Sequence, residues 1–211
     1  MARPHIVILG SGFGGTYVAK SLARLVKRGD IDVTIVNRTN YFLFTPLLHE
    51  VATGSLSPRS VAEPLREIFV GTCIRIIEGT VAGIHTKDRA IRIRMESRDG
   101  DSSHNEVEIF YDYLLIATGA ESNYYGIPGA AEHTLPLKDL ADAIRIRHRV
   151  IDAFESAVTS KTQDERRTLL SFAVVGGGPT GVELAAELAE FVSEISHRYY
   201  DGRHCWPDNP H

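Results

Sequence analysis

The chain has 211 residues and a net charge of −4, with acidic and basic side chains interspersed. That is enough chain for one ample domain or two small ones, and the balance excludes both a disordered protein and one built to hold nucleic acid. Its two cysteines, Cys73 and Cys205, lie far apart in no Cys-x-x-Cys pair, so neither a disulfide framework nor a redox dithiol is suggested.

In chain order, His5 to Leu9 is a short β-branched run ended by Gly10, the pattern of a buried strand. Apolar residues at helical spacing follow (Val18, Leu22, Leu25, Val26), with Gly29 as a C-terminal cap, and then a second buried strand, VTIV at Val33 to Val36. Strand, glycine turn, helix and strand make a right-handed βαβ unit. The segment NYFLFTPLLHEVATGSLSP carries too many breaks for one element and is expected to be an ordered loop with a short helix. From Ile74 to Phe110, four β-rich runs separated by turn signals at Gly79, Lys87–Asp88 and Asp99–Gly100 predict an antiparallel meander. YLLIA at Tyr113 to Ala117 returns as a buried strand ending in Thr118–Gly119, and Ile127–Pro128–Gly129 is a connector. Leu137 to Ala157 has helical periodicity, Leu169 to Val175 reads as a strand, and Thr180 to Ile195 as an amphipathic helix. After Tyr200 the pattern collapses.

The turn GSGFGG sets Gly10, Gly12 and Gly15 at dinucleotide-fold spacing: a tight turn, a close approach to a pyrophosphate, and close packing of helix on strand. The helix head offers N–H groups and partial positive charge to phosphates. Ser11 belongs to this turn and is no nucleophile. Asn37 stands where an acid would meet a ribose, which weakens that contact by on the order of 1 kcal/mol. Followed by Arg38, it suits a 2′-phosphate equally, so the pair leaves the ligand open. AVVGGGPTGVELAAELAE repeats the construction with Gly176, Gly178 and Gly181, Pro179 falling in the first helical turn. Two such units imply two nucleotides and electron transfer between them. Glu183, early in the second helix, has two readings, helix-end chemistry or a place beside a nicotinamide. The basic clusters Arg92/Arg94 and Arg145/Arg147/Arg149 are expected to be solvated faces. The histidines and cysteines show no metal-ligand spacing.

Both glycine motifs, NYFLFTPLLHEVATGSLSP, and YLLIATGA before GIPG resemble the type II NADH dehydrogenases, FAD-dependent NADH:quinone oxidoreductases, from about His5 to Tyr200. The resemblance implies an α/β fold: an FAD/NAD(P)-binding Rossmann-like domain with an inserted antiparallel β-meander, plus the start of a second Rossmann-like NADH domain. It assigns FAD to the first glycine motif, Thr45 and Pro46 to the flavin ring, and the backbone of Val81 to the adenine. Ala117, Thr118 and Gly119 would line the FAD site. Gly176 to Gly181, with Pro179 and Thr180, would hold the pyrophosphate of NAD(P)H, and Glu183 would sit near nicotinamide and flavin. Taken on the residues alone, Thr45 and Pro46 suit ordinary loop packing, and Thr118–Gly119 a strand-ending turn. The implied domains are an incomplete FAD-binding domain at 1–123, the start of an NAD(P)H-binding domain at 124–200, and an aberrant tail at 201–211.

The implied activity passes electrons from NAD(P)H through flavin to a quinone. Alternatives are a non-catalytic flavin-binding fragment and a soluble flavoprotein reductase of the same superfamily. MARPHIVILG does not read as a signal peptide, and no run approaches the ~20 apolar residues that span a bilayer. The family's returning flavin segment and its C-terminal membrane-docking and quinone region have no counterpart here. The chain is therefore expected to be a truncated product, soluble as it stands and marginally stable. The intact enzyme would be cytoplasmic, peripheral on the inner face of the membrane. Truncation is expected to expose an apolar stripe around Leu184, Leu188 and Phe191.

Overall fold

The computed structural model describes residues 2–95 and 105–200. In chain order these form β1 (His5–Leu9), α1 (Phe13–Arg28), β2 (Asp32–Asn37), β3 (Tyr41–Leu43), a 3₁₀ turn (Thr45–Leu47), α2 (Leu48–Thr53), α3 (Pro58–Val61), β4 (Ala62–Pro64) and α4 (Leu65–Ile68). There follow β5 (Arg75–Glu78), β6 (Thr80–His85), β7 (Ala90–Met95), β8 (Asn105–Phe110) and β9 (Tyr113–Ile116). Four helices come next, α5 (Ala130–His133), α6 (Leu140–Thr159), α7 (Gln163–Leu169) and α8 (Pro179–Ile195), and a π-helical turn (Ser196–Tyr200). The expected turn at Asp99–Gly100, the tail from Asp201, and His204, Cys205 and His211 lie outside the described residues. The chain divides into two compact units, Met1–Leu43 with Ala62–Glu121, and Phe44–Val61 with Ser122–His211.

The first unit is layered about a four-stranded sheet of order β5-β2-β1-β9. All three pairings are parallel, with Ile8 opposite both Ile35 and Leu115. Parallel strands are buried on both faces, which is why β1 and β2 read as unbroken apolar runs. On one face Ile8, Val33, Ile35 and Ile76 pack with Ala19 and Val26 of α1 and with Leu65, Phe69 and Ile74. On the other, Val7, Leu9 and Val36 meet Ile91, Ile93 and Ile109 of an antiparallel sheet of order β6-β7-β8. Gly29, at φ 77°, caps α1 with its N–H donating to Leu25 and Val26, and Lys27 and Arg28 sit favourably at the negative helix end.

Three expectations fail in this unit. β9, expected as a buried strand, lies at the sheet edge with Tyr113 and Ile116 exposed. IRIIE is not the first strand of the meander but β5, the parallel edge strand beside β2, so the meander has three strands. Parallel and antiparallel partners demand the same β-branched run, and periodicity does not separate them. The loop NYFLF also opens with a strand, β3, paired antiparallel with β4 in the register Tyr41↔Pro64 to Leu43↔Ala62.

The second unit is helical. α2 packs against both α6 and α8. It buries Leu48, His49, Val51, Ala52 and Thr53. α6 starts on a capping box, Asp139 accepting from Asp142 N at 2.9 Å, and buries Ala143, Ile146, Val150, Phe154 and Ala157. Asp142 is itself buried, and its carboxylate accepts from Lys138 N, Asp139 N and Arg145 Nη2. Leu169–Val175, expected as a strand, is not one. Leu169 ends α7, and residues 171–177 have no regular structure. A strand exists only through backbone pairing, and among the described residues none pairs with this run. Phe172, Val174 and Val175 are consequently exposed. The expected exposed stripe on α8 is also corrected: Leu184 and Leu188 are each 9% exposed, and Phe191 is half-buried, because α2 covers that face. Arg147, expected on a solvated face, is half-buried. Its guanidinium lies 5.6 Å from the Phe191 ring centroid and occupies the space a side chain at Gly54 would need.

Candidate functional site: two glycine turns

In the first unit, Gly10 has φ 97°, a conformation that side-chain-bearing residues rarely adopt, and a Cβ there would overlap the carbonyl of Ala117. A Cβ on Gly15 would overlap the Gly10 carbonyl and sit 3.3 Å from Ile8 Cγ2. Gly12, the N-cap of α1 at φ −70°, differs: a Cβ there would meet nothing within 4 Å. Two of these glycines therefore let the chain pack on itself, and the third faces open space. α1 begins with no side-chain cap and no acidic residue in its first turn. Its first intrahelical bond at this end runs from Thr16 N to Gly12 O at 3.0 Å. An anion placed at the open side of Gly12 would meet amides and positive helix potential with no carboxylate competing.

Other predicted residues gather at the same end of the sheet. Gly10 N donates to Val36 O, and Ala117 N donates to Leu9 O, each at 2.8 Å. This sets Ala117 and Thr118 against the glycine turn, with Gly119 open beyond them at φ 77°. Asn37 closes β2, and its carbonyl accepts from Gly79 N at 2.8 Å, which brings Thr80 and Val81 to that edge. Val81 lies where the β6–β7 register shifts. Arg38 is exposed. The Asn37 side chain is engaged on both sides, accepting from Ser11 N at 3.1 Å and donating to Thr39 O and Thr39 Oγ1 at 2.9 and 3.0 Å. Thr16, buried, donates from Oγ1 to Ser11 O at 2.8 Å. Thr16 and Thr39 escaped the sequence reading because a threonine in a helix turn or a loop carries no signal of its partner.

The second unit repeats the turn. Gly176 has φ 112°, Gly178 is the N-cap of α8 at φ −73° and ψ 174°, and a Cβ on Gly181 would overlap the Gly176 carbonyl. Gly177 and Gly178 face open space. Again no side chain caps the helix and its first turn holds no acid, while Pro179 occupies the first turn without loss of a bond. Thr180 is exposed at that head. Thr45 and Pro46, in the 3₁₀ turn of this unit, are also exposed. Glu183 stands one turn along α8, half-exposed, its Oε2 3.7 Å from His49 Nδ1. That nitrogen is buried and has no hydrogen-bond partner, a feature the sequence did not flag. A cleft of about 740 Å³ lies along the C-terminal half of α8, away from its glycine turn, lined in part by Arg147, Phe154, Glu187, Glu190 and Phe191. Among the described residues no three His, Cys, Asp or Glu side chains cluster to hold a metal, and no helix is long and apolar enough to cross a membrane.

The chain is 42% identical over 201 residues to the mitochondrial external alternative NAD(P)H-ubiquinone oxidoreductase B1 of Solanum tuberosum, covering 94% of this chain and 34% of that protein. It is 37% identical to the type II NADH:quinone oxidoreductase Ndh of Mycobacterium tuberculosis, covering 94% of this chain and 42% of that one. Among solved structures, NDH2 from Plasmodium falciparum in complex with NADH matches with a TM-score of 0.80 at 35% identity, over 95% of this chain and 40% of that one. The resemblance to type II NADH dehydrogenases therefore holds, and the chain spans about a third of the length of the first curated relatives it matches. The family model for pyridine nucleotide-disulphide oxidoreductases matches residues 4–200, and the chain belongs to that family.

Proposed function

We propose that this chain carries the FAD-binding turn and the head of the NAD(P)H-binding turn of an FAD-dependent NAD(P)H:quinone oxidoreductase. The observation that carries this reading is the repetition of one geometry: a left-handed glycine, an uncapped helix head and a helix glycine packed on the first, at Gly10–Gly15 and again at Gly176–Gly181. Gly10, Gly12 and Gly15 would receive the FAD pyrophosphate, with Ala117, Thr118 and Gly119 along the site. The end of β2 at Asn37 and Arg38 adjoins the ribose, and the Val81 backbone the adenine. Thr45 and Pro46 would lie along the flavin ring. Gly176, Gly178, Pro179, Thr180 and Gly181 would hold the second pyrophosphate, with Glu183 near the nicotinamide. The flavin, when bound, supplies the redox chemistry. The protein's own part is to offer main-chain amides and orient the two nucleotides. Quinone as acceptor and a peripheral contact with the inner face of a membrane complete the proposal for the intact enzyme.

The test is to saturate the chain with FAD, remove free flavin, and add NADH without oxygen. Loss of the oxidised flavin absorbance, restored by a short-chain quinone, supports the oxidoreductase. Retained flavin that NADH does not bleach favours a non-catalytic flavin-binding piece. A chain that retains no flavin contradicts both.

A further inference from the structure

We propose that Asn37 serves the first nucleotide site as a positioning residue: its amide fixes the Gly10–Gly12 turn in the shape that receives the pyrophosphate. The inference rests on the FAD reading above and deepens it. In a dinucleotide fold the residue at this place is ordinarily an acid that binds ribose hydroxyls. Here the side chain is already committed. Its Oδ1 accepts from the Ser11 N–H at 3.1 Å, inside the turn itself. Its Nδ2 donates to both Thr39 O and Thr39 Oγ1. Ser11, 2% exposed, donates from Oγ to Tyr41 O, the carbonyl to which Thr39 Oγ1 also donates. Thr16 Oγ1 holds the carbonyl side of Ser11. A closed set of uncharged bonds thus ties the turn between Gly10 and Gly12 to the segment 37–41, with Asn37 at its centre.

The chemistry requires an amide and not a carboxylate. Asn37 both accepts from Ser11 and donates to Thr39, whereas an ionised aspartate accepts only and would face the Thr39 carbonyl oxygen with no proton between them. Aspartate would lose the bond to the Thr39 carbonyl but be the better ribose ligand, because its bonds to hydroxyls are charge-assisted. The two roles therefore predict opposite signs for one substitution.

The experiment measures FAD affinity by flavin fluorescence for the full chain, for Asn37→Asp, and for Thr39→Val, which removes one acceptor of the Asn37 amide and leaves Ser11 its own. Exchange of the Ser11 amide hydrogen is followed by NMR without ligand in the same proteins, and circular dichroism checks that each is folded. The expected result is FAD binding about 10-fold weaker in Asn37→Asp and weakened in the same direction, by less, in Thr39→Val, with faster Ser11 exchange in both. Equal or tighter FAD binding by Asn37→Asp, or unchanged Ser11 exchange, overturns the proposal. If Asn37→Asp does not fold, Thr39→Val decides on the same two readouts. A wild-type chain that takes up no FAD overturns instead the reading on which the proposal rests, and the exchange data still report on the tie.

Discussion

At the scale of single residues, the glycines of one motif do different work, and the sequence pattern alone does not sort them. Gly10 and Gly15 are bound by the chain's own packing, through the Ala117 carbonyl and the Gly10 carbonyl. Gly15→Ala is expected to destabilise the first unit by about 1–3 kcal/mol, since backbone and not a flexible side chain must give way; chemical denaturation measures it. Gly178→Ala, at an open N-cap, should stay within ~1 kcal/mol of wild type in the same assay. The spacing of Gly10, Gly12 and Gly15 was legible in the sequence. Which of them packs against the chain and which faces open space was not, because for Gly10 that depends on Ala117, far along the chain. The same holds for Asn37: its place at the end of β2 could be read, but its partners Ser11 and Thr39 are a matter of geometry.

At the scale of elements, β1 and β2 were legible because burial on both faces leaves a plain record in composition, and α1 because its apolar residues recur at helical spacing; β9 was legible as a strand but not as the exposed sheet edge it is, with Tyr113 64% and Ile116 60% exposed. β5 was misassigned because its β-branched residues would serve either sheet, and only the pairing Thr34↔Arg75 to Asn37↔Glu78 decides. α8 was legible as a helix, but its cover was not, since α2 comes from a stretch dominated by Gly, Pro and Ser signals. Leu188→Ala is expected to cost about 2–3 kcal/mol of the second unit's stability by leaving a gap beneath α2, read from its thermal or denaturant midpoint. Gly54→Ala should destabilise the same unit by about 1–2 kcal/mol, as it both strains a φ of 86° and displaces the Arg147 guanidinium. The combination with Arg147→Ala should be less than additive, because the two changes act on one contact.

At the scale of the whole chain, two units each carry one glycine turn, and the pyridine nucleotide-disulphide oxidoreductase family model spans both turns. Cys73 and Cys205 are the chain's only cysteines, and no pair of them forms a redox dithiol motif. The claim beneath all of this is that the open side of Gly12 is where a flavin pyrophosphate lies. Titration of the Gly12→Val chain with FAD, beside wild type, tests it most directly, because a valine there meets no protein atom near its Cβ and the φ of −70° accepts it. The expected variant unfolds within ~1 kcal/mol of wild type yet binds FAD at least ~10-fold more weakly. A folded Gly12→Val chain that binds FAD as tightly as wild type would contradict the claim.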